Sequence, residues 1–242
     1  MPCFDQELFE IRCEWGLPGV EQMASSDAIV IVDVLSFSTS VEVAVSRGVT
    51  VFPYRWKDDS AEAYAQQRSA ELAVSRNRTP GKYSLAPSSL ITAPRGLRLV
   101  LPSPNGSTLA FAAMSHGATV FAGCLRNASA VARHAQAVGT RITVIPAGER
   151  WADGSLRPAI EDLIGAGAVI QQLKGSRSPE ASVAVAAFED AAAQLQNRLL
   201  SCSSGRELKA RGFIDDVEIA AELDVSDVVP TLVDDAFVIK AG

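Results

Sequence analysis

Short apolar runs alternate with helix-like stretches along the first half of this chain. The run Ala28-Ile29-Val30-Ile31-Val32 predicts a buried strand, and residues 41–47, closed by Gly48, predict a helix after it. The same order returns between residues 97 and 114, which Gly117 closes. Continuous apolar runs bounded by turn residues are typical of buried strands, and the spacing after each run is helical. The sequence therefore predicts two similar β-to-α units.

Three further short strands are predicted at 50–53, 118–121 and 141–146. Strands separated by helices favour a largely parallel sheet with helices on both of its faces. We therefore expect an α/β fold of three layers, α/β/α, around a mostly parallel or mixed sheet. The length favours a single α/β domain over residues 1–242, which can also be divided into two similar β-α halves, about 1–95 and 96–242.

The remaining segments are predicted mainly as helices. Residues 60–73 and most of 158–209 are rich in alanine, and Ser204-Gly205 is expected to break the second of these stretches. Ser155 is expected to cap the helix that begins this second stretch. The basic, turn-rich segment 76–82 is predicted as a surface loop.

Composition limits the classes of partner. Hydrophobic residues make up 48% of the chain and the net charge is −6, which suits a globular protein and argues against non-specific nucleic-acid binding. No apolar run is long enough to span a bilayer, and the N-terminus lacks the pattern of a signal peptide. We therefore expect a cytoplasmic protein with no nucleic-acid or membrane partner, for which a homodimer is a compatible assembly.

Three polar side chains come directly after predicted strands: Asp33, Asn105 and Glu149. In largely parallel sheets, ligands bind at the carboxyl ends of the strands. We therefore expect these side chains to contribute to one site, although each also suits an ordinary turn or helix cap.

The turn Asn105-Gly106-Ser107-Thr108 leads into the second helix. Free backbone N–H groups at the start of a helix favour an anion, so this turn predicts a site for phosphate or a similar oxyanion. Ser38 and Thr39 offer hydroxyl groups at the start of the first helix. The alternative is that all of these residues only form turns and cap helices.

Asp33, Glu161 and Asp162 are the carboxylates that favour a metal site. Mg²⁺ prefers hard oxygen ligands, and carboxylates in the largely apolar stretch 159–164 need a partner or a metal if they are buried. The alternatives are that Asp33 caps the next helix and that Glu161 and Asp162 form an exposed pair.

Two further polar segments, 126–127 and 215–216, are considered for the site. Asn127 precedes a predicted helix over 128–137 and suits an N-cap, while Arg126 beside it suits an anionic substrate group. Asp215-Asp216 is interpreted as a solvated helix start.

Several short segments, taken in order, form a specific set although each is weak singly. They are 31–35 with 38–40, 103–108, 123–128, 146–149, 160–167, and 212–217 with 229–230. Together they resemble the 2-phosphosulfolactate phosphatase family over nearly the whole chain. The resemblance implies a phosphatase-like domain that hydrolyses a phosphate monoester of a sulfonated lactate with Mg²⁺, a step toward coenzyme M in methanogens.

The chain departs from the family pattern at two places: at Ser36, and in the Gly-Glu-Arg and Asn-Ser-Pro stretches before the Asn-Gly turn, whose counterparts here are 75–77 and 86–88. The family commonly has an arginine where this chain has Ser36. An arginine there would supply a bidentate contact to an anion, and Arg76, Arg78 or Lys82 is a candidate to replace it.

The sequence thus predicts a Mg²⁺-dependent phosphatase acting on a small anionic phosphoester, 2-phosphosulfolactate or a related 2-phospho acid. The predicted catalytic residues are Asp33, Glu149 and Glu161, and the predicted metal ligands are Asp33, Glu161 and Asp162. The predicted substrate contacts are Ser38, Thr39, Asn105, Gly106, Ser107, Thr108, Arg126 and Asn127. The alternative is a non-catalytic phosphoester-binding protein that kept the fold.

Overall fold

The computed structural model describes residues 4–23, 25–55, 59–76 and 82–240. The strands are β1 (Ile11–Cys13), β2 (Ala28–Val32), β3 (Thr50–Tyr54), β4 (Glu71–Leu72), β5 (Arg98–Pro102), β6 (Thr119–Gly123), β7 (Ile142–Pro146), β8 (Glu149–Arg150), β9 (Leu156–Arg157), β10 (Pro230–Val233) and β11 (Ala236–Ile239). The α-helices are α1 (Gly16–Gln22), α2 (Phe37–Ser46), α3 (Ser60–Gln67), α4 (Gly106–Met114), α5 (Ala128–Val138), α6 (Ile160–Gln172), α7 (Pro179–Ala191), α8 (Leu195–Ser201), α9 (Ser203–Ala210) and α10 (Ile214–Ala220).

Within these described residues, nine strands form one mixed sheet in the order β1-β7-β2-β6-β10-β11-β3-β5-β4. The strands β1, β7, β2 and β6 are mutually parallel, and so are β3, β5 and β4. The antiparallel hairpin β10–β11 joins the two parallel groups, pairing with β6 on one side and β3 on the other. The fold is therefore the expected three-layer α/β/α arrangement, with a mixed sheet.

The central strand β2 shows why both faces of the sheet carry helices. Side chains alternate between faces along a strand. Ala28, Val30 and Val32 pack in a core with α5 to α9, whereas Ile29 and Ile31 pack in a second core with α2 and α4. All five side chains are fully buried, which explains the continuous apolar run in the sequence.

Two predicted helix boundaries are wrong. Residues 60–73 do not form one helix: α3 ends at Gln67, Ser69 has a left-handed φ of 48°, and β4 then pairs with β5. Pairing with the sheet edge satisfies the backbone of β4 and outweighs its helical composition. The predicted break at Ser204-Gly205 falls instead at Cys202, between α8 and α9.

The predicted cap at Ser155 is also wrong. Residues 149–157 form the hairpin β8–β9, and α6 begins only at Ile160. Glu161 and Asp162 therefore lie in the first turn of α6 and both are buried, rather than forming the exposed pair. None of the helices in the described residues has the length and apolarity needed to cross a bilayer. Most of the predicted loop 76–82 lies outside the described residues.

Candidate active site

Asp33, at the end of β2, connects the two β-to-α units. Its Oδ1 accepts a hydrogen bond from the Phe37 N–H at 3.0 Å, and its Oδ2 accepts one from the Gly106 N–H at 3.1 Å. The first contact is at the start of α2 and the second at the start of α4. The helix start predicted to bind phosphate therefore binds a carboxylate of the chain itself, and the ends of β2 and β5 meet although an antiparallel hairpin separates their groups.

Asp162 holds two loops together from the first turn of α6. Its Oδ1 accepts from the Val34 N–H at 2.8 Å, and its Oδ2 accepts from the Gly148 N–H at 2.9 Å. These donors follow β2 and β7, respectively. Asp162 therefore fixes the positions of the two strand ends that carry Asp33 and Glu149.

Glu149 and Glu161 complete an acidic cluster with Asp33 and Asp162. Glu149 is half-buried at the start of β8, and its Oε2 accepts from Asn105 Nδ2 at 2.9 Å. Glu161 is 2% exposed, and its buried Oε2 has no hydrogen-bond partner within the described residues. A buried carboxylate oxygen without a partner is costly, so the arrangement favours a cation there.

The electrostatics of the acidic cluster point the same way. Burial, followed by the charge of Glu149, raises the pKa of Asp33 to about 7, although the hydrogen bonds from Phe37 and Gly106 oppose the rise. Burial and the charges of Asp33 and Glu161 raise the pKa of Asp162 well above its usual range. Burial also raises the pKa of Glu149. Crowded carboxylates with raised pKa values are typical of sites that hold a cation or transfer protons.

The acidic cluster can supply only a few protein ligands to Mg²⁺. In residues 4–23, 25–55, 59–76 and 82–240, no group of three or more acidic, histidine or cysteine side chains is arranged to hold a metal. Mg²⁺ commonly uses one or two carboxylates, several waters and the phosphate oxygens of a substrate. Within the described residues, Glu161 offers an oxygen without a partner. Each oxygen of Asp33 and of Asp162 accepts one backbone hydrogen bond and keeps a further lone pair for an ion.

The predicted hydroxyl contacts are engaged with the backbone. Ser38 Oγ donates to the Ile31 carbonyl at 2.9 Å, and Thr39 Oγ1 donates to the Val34 carbonyl at 2.8 Å. Both residues are fully buried inside α2, which begins at Phe37 and not after the hydroxyl run. Their contacts support a structural role in place of a phosphate contact.

The corresponding hydroxyls of α4 are engaged in the same way. Ser107 Oγ donates to the Leu101 carbonyl at 3.3 Å and accepts from the Tyr54 N–H at 3.2 Å. Thr108 Oγ1 donates to the Pro104 carbonyl at 2.7 Å. The hydrogen bonds of Ser107 hold the start of α4 against the backbone of β3 and β5. The N-cap is Asn105, without a side-chain cap hydrogen bond, so the role of Ser107 is structural but is not that of the alternative N-cap.

Arg126 and Asn127 lie in a different environment from the acidic cluster. Arg126 forms ion pairs with Glu42 and Glu222. Asn127 is fully buried, and its side chain accepts from the Cys124 N–H at 2.9 Å and donates to the Val228 carbonyl at 3.0 Å. Both side chains are thus engaged in holding the chain around β6 and α5.

A cleft of about 500 Å³ opens beside the acidic cluster. Its polar lining residues are Ser36, Asp59, Glu62, Ser75, Arg76, Glu149, Ser204, Glu207 and Arg211. Of these, the sequence predicts a role only for Ser36, Arg76 and Glu149, because nothing in the spacing of the others singles them out. Ser204, Glu207 and Arg211 come to the cleft through the packing of α9 against the sheet core.

Arg76 lies where the family resemblance implied an arginine. Its Nη2 donates to Ser36 Oγ at 2.5 Å and to the Leu85 carbonyl at 2.8 Å, and its Nε lies 3.6 Å from Asp216 Oδ2. Asp216 is 1% exposed, so its interpretation as a solvated helix start is wrong. Of the other two candidates, Lys82 is exposed and Arg78 lies outside the described residues.

Comparison with known proteins agrees with this geometry. Residues 18–235 match the model of the family described as 2-phosphosulpholactate phosphatase. The chain belongs to this family. The strand ends that carry the acidic cluster, and the whole cleft, lie inside the matched residues.

Curated relatives cover most of both chains. The "2-phosphosulfolactate phosphatase" of Methanothermobacter thermautotrophicus is 29% identical over 87% of this chain and 88% of its own length. The "probable 2-phosphosulfolactate phosphatase" of Carboxydothermus hydrogenoformans is 30% identical over 86% and 87%, respectively. A relative of the same printed name from Gloeobacter violaceus is 28% identical over 88% and 91%. The resemblance stated from the sequence is therefore confirmed.

Proposed function

We propose that this member of the 2-phosphosulfolactate phosphatase family is a Mg²⁺-dependent phosphatase. Its substrate would be 2-phosphosulfolactate or a related 2-phospho acid, which it would hydrolyse to the hydroxy acid and phosphate. The observation that carries the proposal is the acidic cluster beside the cleft, which includes the buried Glu161 oxygen that has no hydrogen-bond partner within the described residues. Family membership supplies the reaction class.

Asp33 and Glu161 would hold the ion, and Asp162 would position them through the two loops. When bound, Mg²⁺ polarises a phosphoryl oxygen and lowers the pKa of a bound water. Asp33 is already oriented by two backbone N–H groups, so it needs little rearrangement. Such preorganisation is a large part of catalytic rate enhancement.

Glu149 is the proposed general base. It lines the cleft, its pKa is raised by burial, and Asn105 fixes the orientation of its carboxylate. A carboxylate with a raised pKa accepts a proton from water more readily than an ordinary one. Glu149 would thus accept the proton of the attacking water, while Asn105 keeps the base directed toward it.

The test is hydrolysis of a phosphoester panel with Mg²⁺ and with a chelator. The panel contains 2-phosphosulfolactate, 2-phospholactate and p-nitrophenyl phosphate, and phosphate release is measured. We expect Mg²⁺-dependent turnover, fastest on the 2-phospho acids, and unchanged turnover in the control variant Glu180→Gln, whose side chain is exposed on α7. A folded protein that releases no phosphate from any member would refute the proposal.

The non-catalytic alternative was favoured by the absence of an arginine at position 36. Because the Arg76 guanidinium contacts Ser36 Oγ, the cleft has an arginine at this place after all. The alternative predicts calorimetric binding of the same phosphoesters without phosphate release, which separates it from the proposed phosphatase.

A further inference from the structure

The cleft is lined by charges of both signs. Arg76 and Arg211, the arginine pair, lie in a lining that also includes the carboxylates of Asp59, Glu62, Glu149 and Glu207. A phosphoester with a second anionic group would meet repulsion from the acidic cluster unless that group lay against the arginines. The charge distribution therefore suits a substrate with two anionic ends.

Arg76 is held firmly while keeping hydrogen-bonding capacity. Its side chain is 11% exposed, and Nη2 is fixed by Ser36 and by the Leu85 carbonyl. Among the described residues, the buried Nε has no hydrogen-bond partner, because Asp216 Oδ2 lies 3.6 Å away. A planar guanidinium with donors still available matches the two oxygens of a carboxylate or a sulfonate.

Arg211 adds a second, more adaptable positive charge. Both guanidinium groups lie 5.5 Å from the centre of the Phe213 ring, which brings them together at the cleft. The ion pair between Arg211 and Glu207 is exposed, at 42% and 67%, so it is weak and readily exchanged for a substrate anion. Arg76 is thus the buried contact, fixed by its hydrogen bonds, and Arg211 is the exposed one.

We propose that Arg76, assisted by Arg211, binds the non-phosphate anion of the substrate and selects phosphoesters of hydroxy acids that carry a carboxylate or sulfonate. This inference rests on the proposed phosphatase function. The guanidinium reaches the cleft from the segment after β4, where it contacts Ser36 after β2.

The kinetic test compares substrates with and without a second anion. In Arg76→Lys, which keeps a charge beside Asp216 but loses the planar fork, we expect KM for 2-phospholactate to rise about tenfold. KM for p-nitrophenyl phosphate and kcat for both substrates should change less than about twofold. We expect Arg211→Gln to raise KM for 2-phospholactate by about threefold, as suits an exposed contact. The control Arg206→Gln, an exposed position of α9 outside the cleft, should change neither KM.

An equilibrium test does not depend on turnover. Calorimetry with 3-sulfolactate, a dianion without phosphate, should show binding that weakens about tenfold in Arg76→Lys and about threefold in Arg211→Gln. Equal changes in KM for both classes of substrate, or unchanged 3-sulfolactate binding in both variants, would overturn the inference. Phosphate release that is absent while 3-sulfolactate binding follows this pattern would refute only the phosphatase proposal. If Arg76→Lys fails to fold, Arg211→Gln decides the outcome.

Discussion

The acidic cluster and the arginine pair are built in different ways. The acidic cluster stands on the ends of β2 and β7 and on the first turn of α6, and backbone N–H groups hold two of its four carboxylates. The arginine pair instead comes from the segment after β4 and from the end of α9, and its support is a ring, a carbonyl and carboxylates. The proposed function therefore places the chemistry on the sheet and substrate recognition on the peripheral segments.

This difference indicates how the substrate range of such a site can change without loss of the reaction. A carboxylate at a strand end cannot move without disturbing the core, whereas an arginine on a peripheral segment can be supplied from another position. Here Arg76 contacts Ser36, so a guanidinium reaches the same place from a different part of the chain. Substitutions in the acidic cluster and around the arginine pair should therefore have different effects on turnover and on substrate selectivity.

The largest expected effect comes from Glu161→Gln in the acidic cluster. Removing the charge of the unpartnered carboxylate should lower kcat/KM on the order of 100-fold, the magnitude found when a preorganised electrostatic group is lost. Mg²⁺ should raise the melting temperature of the wild type, and Glu161→Gln should abolish that rise. Glu180→Gln is the matched control. If the variant keeps both its kcat/KM and its response to Mg²⁺, Glu161 is not part of the site.

Gly106→Ala should disturb the junction between the two β-to-α units. An added Cβ would overlap the Phe37 ring and lie 3.0 Å from Asp33 Oδ2. Overpacking of this kind costs about 1–3 kcal/mol of unfolding free energy, and displacement of Asp33 should lower kcat as well. As control, Gly117→Ala meets open space but has a φ of 74°, so it should lose stability and keep kcat. Urea unfolding and initial rates distinguish the two.

Asp216→Asn tests the support of the arginine pair. The amide keeps an oxygen to accept from the Ser88 N–H at 3.1 Å but loses the charge that faces Arg76. We expect KM for 2-phospholactate to rise about fivefold, because Arg76 is less well positioned, with little change for p-nitrophenyl phosphate. Asp215→Asn, on the exposed neighbour, should change neither. An equal rise for both substrates would contradict a positioning role.

The acidic cluster should make the metal-free protein sensitive to pH. Because the pKa of Asp33 is raised from 3.8 to about 7, the folded chain holds this proton more tightly than the unfolded chain. The unfolding free energy should therefore fall as pH rises from about 4 to about 7, and less so in Asp33→Asn. Urea unfolding of both proteins with a chelator measures this, and Mg²⁺ should oppose the loss. Parallel profiles would show that Asp33 titrates normally.

Ser38→Ala has the smallest expected effect on catalysis. Its hydroxyl donates to the Ile31 carbonyl and accepts from the Asp33 N–H at 3.0 Å, so its removal should cost about 1–3 kcal/mol of unfolding free energy. KM should stay within about twofold of the wild type, because the hydroxyl is engaged in the fold. A large rise in KM without loss of stability would instead support the predicted contact between the Ser38 hydroxyl and phosphate.

The fold class and the positions of the acidic residues could be predicted because they depend on local patterns. The apolar run of β2 matches its observed bounds, and Asp33 and Glu149 follow strands as expected. The roles of the hydroxyl groups could not be predicted, because Ser38 and Ser107 suit an anion and a backbone carbonyl equally well in sequence. Only the distances to the Ile31 and Leu101 carbonyls separate the two.

The sequence alone determined that this chain alternates strands and helices, places polar residues at strand ends and belongs with one family of phosphatases. Hydrophobic periodicity depends on residues that are close in the sequence, and the order of the short motifs is the order of the chain itself. Both can therefore be determined without a structure. Tertiary structure decided which partners the polar groups take. It placed Asp33 on the start of α4, Arg76 beside Ser36 and Asp216 in a buried ion pair, since each contact joins segments far apart in the chain.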